Sequence, residues 1–191
     1  MDLKGSRTEQ NLMKAFAGES QARNRYTFAA AVAAAEGYTQ ISNLFLETAD
    51  NERAHAFEFF SLLEGGVPEF TASYPAGPVG STAENLKAAA EGELAEWGTL
   101  YPDFGQVAEE EGFKKVAVKF RKIAEVEKYH ERRYRKLLAA VDGGKVFEKE
   151  APTRWKCEEC GYVHESPGAP KVCPVCGKPQ SYFELYCECY G

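Results

Sequence analysis

Glu52-Arg53-Ala54-His55 and Glu127-Lys128-Tyr129-His130 are the stretches that decide the fold of this 191-residue chain. Each sets an acid and an imidazole three residues apart, which puts both side chains on one face of a helix. The second belongs to an apolar stripe: Val116, Phe120, Ile123, Glu127, His130, Tyr134, Leu137. Acid and imidazole therefore lie within the face that should meet the core, not opposite it. Glu19 stands the same way, in the stripe Leu12, Phe16, Glu19, Tyr26, and Glu93-Leu94-Ala95-Glu96 offers two further acids at the same spacing.

Working outward, four helices are predicted. The first runs from Arg7 to Ala35 and stops at Gly37; the second runs from Gln40 to Leu63 and stops at Gly65-Gly66. The third starts behind Ser81, where Ser81-Thr82-Ala83-Glu84 has the form of a capping box, and continues to Glu110 with a bend at Pro102. The fourth follows Gly112 and ends near Asp142. Short breaks at Gly37 and Gly112 make two antiparallel hairpins. The loop between them, Gly65 to Gly80, reaches ~50 Å when extended, against ~39 Å for a 26-residue helix. It can run back along the bundle, and one long crossover between two hairpins is the ferritin-like four-helix arrangement.

The hairpins repeat one another. Glu36-Gly37-Tyr38 recurs 75 residues later as Glu111-Gly112-Phe113, and the same offset relates Tyr26 to Tyr101, Phe45 to Phe120, Ala49 to Ala124, Glu52 to Glu127 and His55 to His130. Gly18-Glu19 and Gly92-Glu93 are 74 apart, so one residue is gained between glutamate and tyrosine in the third helix. A π-bulge accounts for such a gain. Helical glutamates are ordinarily solvated and paired, which is the expectation for Glu109, Glu110, Glu111, Glu125 and Glu131. It is a poor account of five inward acids, since each uncompensated buried charge costs several kcal/mol. Two divalent cations make the burial feasible, and hard oxygens with two imidazoles favour iron or manganese over structural zinc.

Residues 145–191 are a different regime, poor in helix formers and rich in Pro, Gly and Cys, with Trp155, Tyr162, Tyr182 and Phe183. The expected division is a bundle over 1–144, a linker over 145–151 and a small β domain over 152–191. Cys157, Cys160, Cys173 and Cys176 form two CxxC knuckles, a four-thiolate set that iron and zinc both accept. Cys187 and Cys189 are left over and are expected to be tail thiols rather than ligands. All six cysteines lie after residue 156 and no apolar leader is visible, so metal binding in a reducing cytoplasm is expected over a disulfide scaffold. The formal charge of −6 lacks the basic stripe nucleic acids require, and no apolar run is long enough to span a bilayer.

The chain resembles the rubrerythrins. The likeness runs from Gly5-Ser6-Arg7-Thr8-Glu9 through Ala15-Phe16-Ala17-Gly18-Glu19-Ser20-Gln21-Ala22-Arg23-Asn24-Arg25-Tyr26 and both ExxH motifs to the Cys-x-x-Cys-Gly-Tyr and Cys-Pro-x-Cys-Gly knuckles. The extra Cys187 and Cys189 depart from the family pattern. The resemblance implies two iron ions bridged by carboxylate and oxo groups, with Glu52 and Glu127 shared, Glu19 on one iron, and Glu93 and His130 on the other. It implies that Glu96 and His55 exchange as ligands of the first iron with oxidation state, and that Tyr26 and Tyr101 orient carboxylates. A rubredoxin-like Fe(Cys)4 centre at Cys157, Cys160, Cys173 and Cys176 would return electrons. The implied activity is peroxidase: H2O2 reduced to water in oxidative-stress defence by a homodimer. No GxGxxG is present, so NAD(P)H would act through a separate reductase or a rubredoxin. Two other readings stay open: an iron-oxidising or iron-storing ferritin relative, and a metal-stabilised binding module.

Overall fold

In the computed structural model, which describes residues 2–188, α1 (Arg7–Ala35) and α2 (Thr39–Phe60) form the first antiparallel hairpin. The second pairs a broken rod with α5 (Lys114–Asp142). The rod is α3 (Thr82–Ala95), a π segment (Glu96–Leu100) and α4 (Tyr101–Glu110). Gly37 and Gly112 close the hairpins at φ 85° and 82°, a conformation that side chains with a Cβ resist. The crossover, residues 63–81, has neither helix nor strand. These are the ferritin-like topology and the one-residue gain read from the repeat. One boundary moves: α2 ends at Phe60 rather than Leu63, because the Leu62 and Leu63 amides tighten onto the carbonyls of Phe59 and Phe60.

Local chemistry starts the helices as expected. The Ser81 amide donates to Glu84 Oε2 at 2.8 Å while Ser81 Oγ accepts from the Glu84 amide, completing the capping box. A second layer of capping joins the two hairpins. Glu111 Oε2, at the end of α4, accepts from the Thr8 amide at 2.9 Å and its hydroxyl at 2.7 Å in the first turn of α1. Glu36, its repeat counterpart, accepts from the Thr82 amide in the first turn of α3 at 3.0 Å. Each hairpin bend thus caps the first helix of the other. Glu111 is therefore not the solvated surface acid expected. Glu109, Glu110 and Glu125 do form surface pairs, with Arg121, Arg7 and Lys122, whereas Glu131, paired with Arg135 and accepting from Trp97 Nε1, has a side chain only 13% exposed.

The core has two matching aromatic clusters. Tyr26, Phe45 and Tyr134 meet at ring separations of 5.1–6.0 Å, and their counterparts Tyr101, Phe120 and Phe59 meet at 4.9–5.8 Å. Between these clusters lie the buried acids.

The C-terminal part is an antiparallel sheet of order β2-β1-β3, from β1 (Glu148–Cys157), β2 (Val163–Gly168) and β3 (Phe183–Leu185). Trp155 pairs with His164 on one side and Leu185 on the other, and packs in a small core with Cys157, Cys173 and Phe183. It rests against the start of α2, where Tyr38 stacks on Phe147 and Asn43 bonds Glu158.

Candidate metal centres

Glu19 projects from α1, Glu52 and His55 from α2, Glu93 from α3, and Glu127 and His130 from α5. All four glutamates are at most 1% exposed, and both imidazoles are buried. The ligand atoms of Glu19, Glu52, His55 and Glu127 lie within 4.8 Å of one another, as do those of Glu52, Glu93, Glu127 and His130. The two groups share Glu52 and Glu127.

The polar atoms in this cluster are close without being satisfied. His130 Nδ1 stands 2.7 Å from Glu127 Oε2 and 3.3 Å from Glu52 Oε1. Yet Glu19 Oε2, Glu52 Oε1, Glu93 Oε2, both Glu127 oxygens and His130 Nδ1 have no hydrogen-bond partner. Buried native polar groups are almost always bonded, so orphans converging from four helices fit cations held between them. The outer oxygens are accounted for: Tyr101 donates to Glu19 Oε1 and Tyr26 to Glu93 Oε1, both at 2.5 Å. Each tyrosine thus crosses to the acid of the opposite hairpin and leaves the other oxygen facing the centre.

Electrostatics agree. Burial, then the neighbouring acids, pushes Glu19, Glu93 and Glu96 well above the usual carboxylate range. Burial would raise Glu52 too, but contacts with His130 and His55 override it and hold it at about 2. Burial would lower the histidines, but Glu127 and Glu52 hold His55 at about 10 and His130 at about 9. The site retains protons where a metal would displace them.

Glu96 is not in either ligand group. As first residue of the π segment it is half-buried and lines a cavity of about 530 Å³, roofed by Thr71–Pro75 of the crossover. One residue that sequence reasoning passed over also contacts a site side chain: Asn51 Oδ1 lies 3.3 Å from His130 Nε2.

Cys157, Cys160, Cys173 and Cys176 converge, with Sγ separations of 3.7 Å (Cys157 to Cys176) and 3.6 Å (Cys160 to Cys173). Tetrahedral thiolate ligation at ~2.3 Å requires sulfurs roughly 3.8 Å apart, so the set fits a single ion. In each knuckle a glycine amide, Gly161 or Gly177, turns back to the carbonyl of the first cysteine. Cys157 and Cys173 are buried while Cys160 and Cys176 are exposed, so one edge of the centre meets solvent. Cys187 is disulfide-bonded, which corrects the tail thiol expected there. Cys189 lies outside the described residues.

Two ligand groups sharing a pair of glutamates, with a four-thiolate knuckle appended, define a dinuclear carboxylate–histidine metalloprotein carrying a second, mononuclear centre. Family models agree: "Rubrerythrin" matches residues 10–138, and "Rubrerythrin, rubredoxin-like domain" matches 155–184. A rubrerythrin of Porphyromonas gingivalis is 61% identical over 95% of this chain and 91% of its own. One from Nitratidesulfovibrio vulgaris is 49% identical over 96% of both. Fully reduced, all-ferrous nigerythrin superposes with a TM-score of 0.64 at 32% identity, covering 97% of this chain and 89% of that one. The chain belongs to the rubrerythrin family and is an iron oxidoreductase, with a di-iron site in the bundle and one iron at the rubredoxin-like cysteines.

Proposed function

We propose that this protein is a peroxidase that reduces H2O2 to water at the bundle site, with the four-cysteine centre resupplying electrons. Two ferrous ions held there would supply the two electrons that, with two protons, take H2O2 to two waters. The observation that carries the reading is the pair of overlapping ligand groups. Glu52 and Glu127 would hold both ions, Glu19 and His55 one of them, and Glu93 and His130 the other. Glu96 would be the alternative ligand to His55. Tyr26 and Tyr101 hold the terminal carboxylates in orientation. The cavity at Glu96 gives a small oxidant a way to the side of the site where that exchange occurs.

The cysteine centre has a job only if electrons must be returned, which favours turnover over iron storage. Its exposed edge suits collection from a reductase or rubredoxin fed by NAD(P)H. Within one chain the sheet touches α2 at Asn43, nine residues or about 14 Å of helix from Glu52. Exposed Phe28, Leu46, Phe57 and Phe60 on α1 and α2 support a homodimer in which the relay reaches the partner's bundle. Four grouped free thiols suit a reducing cytoplasm, and among the described residues no helix is long and apolar enough to cross a membrane. The two-domain division, 1–144 and 152–191 with 145–151 between, belongs to the same proposal.

Stopped-flow oxidation of the reduced protein tests it. Reoxidation should be faster with H2O2 than with O2, and Glu96→Ala should slow turnover with the fold intact. Faster reaction with O2 would favour an oxidase or ferroxidase. A colourless protein with zinc filling the cysteines would sink the relay.

A further inference from the structure

The hairpins are near copies, yet the two histidines are not held alike. His130 Nε2 faces Asn51 Oδ1 at 3.3 Å, an acceptor reaching across from α2 to α5. With Nε2–H donating to that oxygen, Nδ1 is left as the lone-pair nitrogen, and Nδ1 is the atom that faces the centre without a hydrogen-bond partner. The repeat carries Asn51 onto Val126. Val126 on α5 is thus the repeat counterpart of Asn51, and its side chain accepts nothing. All the contacts of His55 with acids run through Nδ1, to Glu52 Oε2 at 2.9 Å and Glu127 Oε1 at 2.8 Å. Its Nε2 has no protein partner among the described residues. The His55 side chain is also the more open, 11% exposed against 6% for His130.

We infer that Asn51 is the positioning residue that pins His130 to one metal position, and that valine at 126 leaves His55 unpinned. The asymmetry decides which of two equivalent imidazoles can leave. A ligand imidazole anchored through its second nitrogen is fixed in ring rotation and tautomer, and losing such an anchor typically costs 10–100-fold in metal affinity. An unanchored ring can turn away without breaking a second bond. The extra acid, Glu96, lines the same cavity as Gly18 and Tyr101, the chain neighbour and the hydrogen-bond donor of Glu19, whose ligand group includes His55. The inference rests on the proposed exchange of Glu96 with His55 and names what directs that exchange to one end.

The test uses full-length ferrous protein and proton NMR of the paramagnetically shifted imidazole N–H signals. The His130 signal should exchange with solvent slowly and the His55 signal at least about tenfold faster. Asn51→Val should speed exchange at His130 alone, and Asn51→Asp, which keeps an acceptor, should restore slow exchange. Val126→Asn, at an exposed helix position, should slow exchange at His55 and keep two imidazoles bound in the oxidised protein. It should also slow reoxidation by peroxide by about tenfold, within the usual range for such anchors. Unchanged exchange at His130 in Asn51→Val, or unchanged histidine ligation and rate in Val126→Asn, overturns the inference. Wild-type protein that binds the same imidazoles in both oxidation states would instead defeat the exchange reading, whatever the N–H rates.

Discussion

Replacing Tyr101 with phenylalanine removes one oxygen and leaves the packing against Phe59, Phe104 and Phe120 in place. The lost bond is the 2.5 Å contact to Glu19 Oε1, with the carboxylate fully buried and the tyrosine 2% exposed. With iron bound, Glu19 is ionised, and a hydrogen bond to a charged partner contributes about 1.5–3 kcal/mol. Without metal, burial and neighbouring acids favour the protonated carboxyl of Glu19, and a bond to that neutral group falls to the ordinary range of about 0.5–1.5 kcal/mol. Metal affinity reports the difference, about 1–1.5 kcal/mol, or roughly 5- to 13-fold weaker binding. Competitive Fe(II) titration against a chelator measures it, alongside thermal unfolding of the metal-free protein. Tyr26→Phe should give a similar loss through Glu93, since the two contacts are equal in length. Unchanged affinity, or metal-free protein losing as much as loaded protein, would refute the idea that the tyrosine acts on a carboxylate held ionised by the metal.

Two further outcomes follow from the same geometry. Glu19, Glu93 and Glu96 bind protons more tightly folded than unfolded, so in metal-free protein their contribution is full below about 4.5 and lost as pH rises through their raised range. His55 and His130 contribute fully below about 6.5 and lose it as pH rises through about 10 and 9; Glu52 acts oppositely, losing its contribution between about 4.5 and about 2. Removing metal should therefore cost more stability at about pH 8 than at about pH 5, a widening Tm gap that calorimetry would read and a constant gap would contradict. Phe120→Ala empties a fully buried position between Phe59, Tyr101 and Phe104 and should cost about 3–5 kcal/mol in denaturant unfolding. A loss below about 1 kcal/mol would mean that this cluster is not packed as described.

Much of this site is legible in the chain because its signals are local or periodic. ExxH spacing, the apolar stripe and the CxxC knuckles are each short-range patterns, and the offset of 75 makes each hairpin a check on the other. The fall to 74 before Tyr101 locates the π segment without coordinates. What stayed hidden depends on partners far apart in sequence. Glu111 reads as one of three surface acids in a row, and only the fold brings Thr8 to it. Asn51 lies in the polar run Asp50-Asn51-Glu52-Arg53, and nothing local says that it reaches α5. The early end of α2 reflects competition between helical and tighter bonds at Ser61 and Leu62, which composition does not resolve.

A residue inserted into a straight helix turns everything beyond it by about 100°. Here α4 escapes that rotation: Tyr101, Gly105 and Ala108 are buried where Tyr26, Ala30 and Ala33 are buried 75 residues earlier. The wide turn at Glu96–Leu100 absorbs the whole slip in five residues. It acts as an expansion joint, admitting a new acid beside an old site while the masonry on either side keeps its courses. Two identical halves could offer a pair of metals only matching surroundings; one surplus residue, taken up in a single turn, is enough to make them unequal.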